Sequence, residues 1–559
     1  MTRLLAAAIL TAAALAIPPA SSAQAAPAGN NPPLAGPAAW SISGTILSAS
    51  SGTALDRAEV TLFTSGPNGS QLGETVTAQD GSFRFDHLQA GTYSIQAWRR
   101  GYIAAGYQEH DGFTTGIVTG PSLVTSGLRV TLYPTGVLYG AITDDSGEPV
   151  PGAQVHLFRQ DQRTGQLRIL RVATDTTDDT GTFEFDSLRA GTFFLSASAQ
   201  PWYAFHPSAK TDATGTLLPA DQQPTSPLDL AYPTIYYENS TDSDSATPIA
   251  IAAGDHVEAN ISLHAVPAIH IQIHLPPPTE GRGVPMPQLM QSVFGSDEFQ
   301  PAQEFTAPTR SGGMVADLSG IAPGHYVLRQ FGPPSQGNRT ATVNLTSDQS
   351  LDFASASNSG VDVTGKIAMA SGAPLPPKTH VNLMPADQTP ARPGDAVAAD
   401  GTFTFRSVPP GRYAIQAVAP DTRLAVQQMM ASGAEVHGAT LTIAAQPVLI
   451  AATLARGATT LSGFAKQNGQ PTGGVMILLV PHDPAARDLY RRDQSNTDGS
   501  FTLNNVVPGD YSLLAIDNGW TLDWARPEVL APYLTRGMRV RVAGQRTMNL
   551  PSPVEVQPR

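Results

Sequence analysis

The 559-residue chain contains no cysteine. That absence removes disulfide staples, thiol nucleophiles, zinc sites built on thiolates and a lipid attached through a cysteine behind a leader. Stability must come from packed cores alone. Charge is also scarce, with 14% of residues charged and a formal net charge of −13 at pH 7. A sparse acidic surface repels phosphate backbones, which argues against nucleic acid as a partner. Lysine occurs only at positions 210, 366, 378 and 466. No transmembrane run follows the N-terminal leader, and no apolar period of 3.6 residues is sustained, so long helices are not expected.

The leader, residues 1–25, reads as a secretion signal. Arg3 supplies the positive start, Leu4 to Ile17 the apolar run, too short to span a bilayer, and Ala23-Gln24-Ala25 the small-residue cleavage site. A flexible stretch rich in Ala, Pro, Gly and Asn follows over 26–39. The expected location is periplasmic or extracellular.

What the chain has in quantity is turn chemistry, with 51 Gly and 48 Pro. "DGSFRFDHLQAGTYSIQA" at 80–97 returns in outline as "TGTFEFDSLRAGTFFLSA", "DGTFTFRSVPPGRYAIQA" and "DGSFTLNNVVPGDYSLLA". Apolar residues alternate with polar ones, the period of strands with one buried face. Asp80-Gly81, Asp400-Gly401 and Asp498-Gly499 suit hairpin turns in which glycine takes a positive φ. Pro410-Gly411 and Pro508-Gly509 fit type II turns. A worn fifth copy, "MVADLSGIAPGHYVLRQ", stands between the second and third and keeps Ile321, Pro323, Gly324 and Tyr326.

Opening strands such as "SGTI", "YGAI", "TGKI" and "SGFA" precede each clear copy, and "LRVTLYP" or "VEANISLHAVP" closes the first two. The expected fold is all-β, a tandem array of about five antiparallel β-sandwich modules of the immunoglobulin-like or transthyretin-like kind. Their expected bounds are 40–135, 136–265 with an aromatic-rich insertion, 266–356 in degenerate form, 357–456 and 457–559, with an exposed loop at 276–287. The "GxI/V" opening and the "DGxFxFxxLxxGxY" block resemble the carboxypeptidase regulatory-like domain, a transthyretin-like sandwich found in tandem in bacterial secreted proteins. The resemblance implies accessory, non-catalytic modules.

Sequence motifs for chemistry are missing. None of the twelve histidines has glutamate three residues later, as a zinc peptidase would show. Neither "GxSxG" nor the complete "GxxxxGK[ST]" occurs: "GVDVTGK" at 360–366 is followed by Ile367 and belongs to an opening strand. No cofactor, metal or catalytic residue is expected. The nearest metal-like group is His264, His270 and His274, where period two puts His270, Gln272 and His274 on one face, read as a solvated strand face opposite Ile269, Ile271 and Ile273. The carboxylates of Asp175, Asp178, Asp179, Glu184 and Asp186, and of Asp242 and Asp244, read as solvated turns, with calcium as the alternative. Sandwiches of the collagen-adhesin B type often carry a Lys-Asn isopeptide bond, but the first two modules have no lysine on their opening strands.

Aromatic residues outside the repeating pattern are the remaining candidates for a ligand platform: Trp98, Tyr102 and Tyr107, then Trp202, Tyr203, Phe205, Tyr232, Tyr236 and Tyr237, then Trp520 and Trp524. The bland reading is that they cover sandwich ends or pack between modules. Two roles stay open: a structural scaffold or protein-interaction protein made of a string of sandwiches, and a carbohydrate-binding protein using those rings. The expected partner is accordingly an unknown protein or glycan of the cell envelope.

Overall fold

The computed structural model describes residues 40–559 except 67–68, 162–166, 219–221, 276–285, 309–312, 331–338, 353–359, 386–391, 421, 445, 457–458 and 485. The expected signal peptide, the leader and most of the loop at 276–287 lie outside the described residues.

Alternation in the sequence becomes alternation in burial. Along Trp40–Ser48, Ile42, Gly44, Ile46 and Ser48 are buried while the residues between them are half-buried. Val363, Gly365, Ile367 and Met369 do the same along Val361–Met369. Each buried Ile or Leu stabilises its core by about 2 kcal/mol relative to exposure. Five such cores form, around Ile46 and Ile95, Leu138 and Leu195, Ile271 and Leu328, Ile367 and Ile415, and Leu461 and Leu513. The described residues contain one α-helix, Pro527–Leu534.

All five sandwiches share one pairing scheme. The opening strand Trp40–Ser48 pairs antiparallel with Ser82–Leu88 and parallel with Leu128–Pro134. Gly136–Thr143, Ile269–Leu275, Val361–Met369 and Thr459–Gln467 each take an antiparallel and a parallel neighbour in the same way. The all-β sandwich fold is therefore present, but its first and last strands run parallel. The antiparallel arrangement expected throughout is corrected there: the closing strand returns to the starting edge by crossing the other sheet, and arrives in the same direction.

The recurring letters now acquire separate causes. Gly81, Gly181, Gly401 and Gly499 have φ of 71°, 73°, 87° and 78°, as a hairpin turn requires. The glycine before the last aromatic behaves differently. Gly91, Gly324 and Gly509 are not at positive φ, and Gly411 is close to extended at 157°, so the type II turn reading of Pro410-Gly411 and Pro508-Gly509 is corrected. A Cβ there would meet the ring two residues on, at 3.8, 3.2, 3.4 and 3.4 Å for Tyr93, Tyr326, Tyr413 and Tyr511. Each of those hydroxyls donates to the carbonyl four residues back, Gln89, Ala322, Pro409 and Val507, at 2.7–3.0 Å. Gly-x-Tyr is thus a corner clamp.

Four residues before that glycine, His87, Ser187, Gly320 and Asn505 stand at φ of 58°, 56°, 76° and 57°. Each lies opposite a register shift at the start of its opening strand, between Trp40 and Ile42, Gly136 and Leu138, Ile269 and Ile271, and Thr459 and Leu461. A β-bulge with a left-handed residue is therefore part of the repeat.

The modules also meet beyond their neighbours in sequence. Gly116 N–H of the first module donates to Asn496 Oδ1 of the last at 3.1 Å, Val118 N–H to Thr497 Oγ1 at 2.9 Å, and Thr497 N–H returns to the Gly116 carbonyl at 2.9 Å. Gln494, buried, donates to the Gln108 carbonyl and to Thr115 Oγ1, both at 2.6 Å. The last sandwich is docked on the first.

Candidate functional site

Strand phase decides where the candidate aromatics go. Tyr236 is 1% exposed and packs edge-on to Phe294, and Tyr232 is buried in the second core. Tyr237 packs against that core, and Tyr102 and Tyr107 against the first. Trp524 is buried in the last module beside Tyr490. Trp520 stacks on His110 with ring centroids 5.3 Å apart and planes 7° apart, filling the joint between last and first modules. Of these rings Tyr232, Tyr236 and Trp524 are buried, and Tyr102, Tyr107, Tyr237 and Trp520 are half-buried against core or joint. Trp98 ends its strand on the outward phase and is exposed. Trp202 is 81% exposed and edge-on to Tyr203 at 5.6 Å. Phe205, also exposed, donates its backbone N–H to the carbonyl of exposed Leu228 at 2.8 Å. Trp202, Phe205 and Leu228 are therefore the exposed large apolar side chains of the insertion among the described residues.

That insertion, described over 201–218 and 222–231, runs against the outer face of the third sandwich. Leu230–Ala231 pairs with Val266–Pro267, and Gln272 Nε2 donates to the Leu218 carbonyl at 2.9 Å. Beneath it lies a buried polar layer. Asp229 accepts from His206 Nδ1 at 2.7 Å on one oxygen and from His270 Nε2 at 2.6 Å on the other. His270 Nδ1 faces Asp317 Oδ2 at 3.8 Å, an ion-pair distance. Asp317 is 3% exposed and its Oδ1 has no hydrogen-bond partner. Burial works against a charge on His270, but Asp317 and Asp229 outweigh it and raise its pKa to about 9.

The expectation of a solvated histidine face is corrected here. Gln272 is buried because the insertion covers the face. The three histidines do not converge, since His264 is exposed and His274 Nε2 bonds Ser350 Oγ at 3.0 Å. Among the described residues no three His, Asp or Glu side chains are arranged to hold a metal ion. Beside the layer a cleft of about 320 Å³ opens between second and third modules, lined by Gln154, Gln200, Tyr232, Leu289, Gly320 and Tyr326 among others. Burial, with Tyr203 alongside, raises the Tyr232 phenol well above its ordinary range.

The family model of the carboxypeptidase regulatory-like domain matches residues 41–119 and 137–218. Over those residues, less than a third of the chain, the first two modules are similar to carboxypeptidase regulatory-like domains. Among solved structures, the TIE protein of Bacillus anthracis is 10% identical over 74% of this chain and 73% of its own, with a TM-score of 0.16. GBS52, the minor pilin of Streptococcus agalactiae, is 15% identical over 43% of this chain and 100% of its own, TM-score 0.20. The shaft pilin SpaA of Lactobacillus rhamnosus GG is 11% identical over 41% and 97%, TM-score 0.19. Nothing about role follows from likenesses of that degree. No curated protein matches the chain in sequence.

The acidic loop of the second module is occupied by its own backbone. Asp178 accepts from the N–H groups of Thr182 and Thr180 and from both hydroxyls, which lowers its carboxyl to about 2. Asp175 accepts from the Glu184 N–H, and Asp242 from that of Asp244. Sequence reading passed over the residues that do connect modules. Arg492 and Gln494 of the last module and His206 and Asp229 of the insertion are not among the recurring letters, and Asp317 stands at a variable polar position of the worn copy. One signal was legible: Thr77, Thr177 and Ser495 stand four residues before a turn glycine. Each is a buried hydroxyl that bonds both a carbonyl and an N–H of the preceding loop.

Proposed function

We propose that the chain is a secreted or periplasmic, non-catalytic scaffold whose β-sandwich modules hold an interaction surface for an envelope partner. The observation that supports this best is the docking of the last module on the first. Arg492, 8% exposed on its side chain, lies 5.0, 5.4 and 4.9 Å from the ring centroids of Phe113, Trp520 and Trp524 and pairs with Asp111 at 3.0 Å. A closed joint between distant modules fixes their relative placement, which a presentation scaffold requires and a flexible string does not provide. Small-angle scattering on the mature chain tests it: the expected profile is that of one particle, and the profile of a flexible chain of beads refutes it. A peptidase and glycosidase screen is expected to be negative.

A second reading, carbohydrate binding, is favoured by one feature. Exposed Trp202 stands on an insertion that also walls a cleft carrying the amides of Gln154 and Gln200. Rings with amides nearby suit sugars. A glycan array with the native chain and Trp202→Ala decides it, and no binding by the native chain removes the reading. The module bounds 40–135, 136–265, 266–356, 357–456 and 457–559 are part of the proposal, and limited proteolysis is expected to cut near them.

A further inference from the structure

The insertion and the third sandwich are held together by charge as well as by packing. Asp229 comes from the insertion, near its paired end Leu230–Ala231. His270 and Asp317 come from neighbouring strands of the third sandwich, where Gln272 pairs with Asp317 in register. The imidazole of His270 therefore sits between a carboxylate of each partner. His206, from the insertion, occupies the second oxygen of Asp229 and packs over Gly320, where any Cβ would meet its ring at 2.8 Å. Asp348, in the turn before the parallel strand Gln349–Asp352, accepts the backbone N–H of His270 at 2.9 Å. Two carboxylates thus face the His270 imidazole, Asp229 from the insertion and Asp317 from the adjacent strand, while Asp348 from the turn beside it holds the backbone N–H.

The same segment bounds the cleft. Ala231 and Tyr232 at its end form one wall, and Gly320, under His206, belongs to the other. The two walls are joined through His206, Asp229 and His270.

We propose that His270, in its protonated form, is an ionic latch that clamps the 201–231 insertion onto the third sandwich, and that loss of its proton frees the insertion and opens the cleft. A neutral imidazole can still donate one hydrogen bond to Asp229, but it leaves Asp317, buried and with one oxygen already unpartnered, without its counter-charge. The direction follows from linkage. The proton is held more tightly with the latch closed, so the stabilisation is complete below the ordinary histidine pKa of 6.5 and disappears as pH rises through about 9. The latch is closed at neutral pH and opens in alkali.

The reporters are amides on the clamped segment and its anchor: Phe205 N–H, which donates to the Leu228 carbonyl, and Ala268 N–H, which donates to the Asp229 carbonyl. Hydrogen exchange, corrected for base catalysis, is compared between pH 7 and pH 10, with Ile415 N–H of the fourth module as the internal control. The opening constant at the two reporters is expected to rise on the order of 50-fold in the native chain, with the control unchanged. His270→Gln keeps a donor for Asp229 but cannot be charged, and its reporters are expected to be loosened at both pH values without the rise. A native chain with no rise, or a His270→Gln chain that keeps it, overturns the latch. The native His270 ring is titrated in parallel by NMR, so the idea stays testable if the variant misfolds. A midpoint near 9 that tracks reporter opening supports it, and an ordinary midpoint near 6.5 overturns it.

Discussion

Replacing Arg492 by alanine should undock the last module from the first without unfolding either. Of the three rings within 5.4 Å of the guanidinium, Trp520 and Trp524 belong to its own module and Phe113, 5.0 Å away, lies across the joint; with the cation largely withdrawn from water, that one cation–π contact contributes about 2 kcal/mol. Its ion pair with Asp111 is 3.0 Å long, but the aspartate side chain is 32% exposed, so solvent screening limits that contribution to about 1 kcal/mol. Burial depresses the Arg492 pKa, which means desolvation already consumes part of the gain, while Asp111 works the other way. Together these give a joint weakened by about 3 kcal/mol, an opening constant raised about 100-fold. Hydrogen exchange reads this at Gly116 and Val118, whose N–H groups donate across the joint to Asn496 and Thr497. Arg492→Met should recover part of the loss, because a thioether fills the ring cage without a buried charge. A cycle with Asp111→Ala should return a coupling of about 1 kcal/mol. Unchanged exchange at both amides in Arg492→Ala would refute the reasoning, since the cage would then contribute nothing to docking.

Tyr511→Phe should cost about 1–2 kcal/mol by denaturant unfolding, because the Val507 carbonyl loses its 2.7 Å donor in a buried corner. Thr177→Val removes a hydroxyl that donates to the Val150 carbonyl and accepts from Ala153 N–H, so a buried donor and acceptor are both stranded, and a loss of about 2–3 kcal/mol in the second module is expected. A loss as small as that of a surface change would sink the idea of a hydroxyl staple. Burial raises the Asp493 carboxyl to about 6, against hydrogen bonds from Thr502 and Gln494. Since the folded state holds that proton more tightly, stability falls as pH rises from 3.8 to about 6. Asp493→Asn should therefore raise the midpoint of thermal unfolding at pH 7 and leave it nearly unchanged at pH 4.

How much of this was readable in advance depends on the range of each interaction. The five cores were legible because burial at period two is a local property: Phe83, Ile95 and their counterparts announce their faces within a few residues. Local, too, was the turn glycine, and the same logic could have separated Gly91 from Gly81 by asking what stands two residues later. The parallel closing strand left no such trace, because direction of approach is set by the path of the chain between strands and not by the residues within them. Joints are harder still. Trp520 and Tyr236 carry the composition of a binding platform, yet one is spent on a neighbouring module and the other on Phe294, and a sequence cannot distinguish a ring that awaits a ligand from one that already has a partner. Only the placement of modules resolves it. That placement rests on residues such as Arg492, Gln494, Asp229 and His270, whose identities do not recur from module to module because each joint occurs once. In a chain of repeated sandwiches, then, what recurs records how a module folds. Whatever is particular to this protein is to be sought where the repetition breaks, and Trp202 and the 201–231 insertion are such a place.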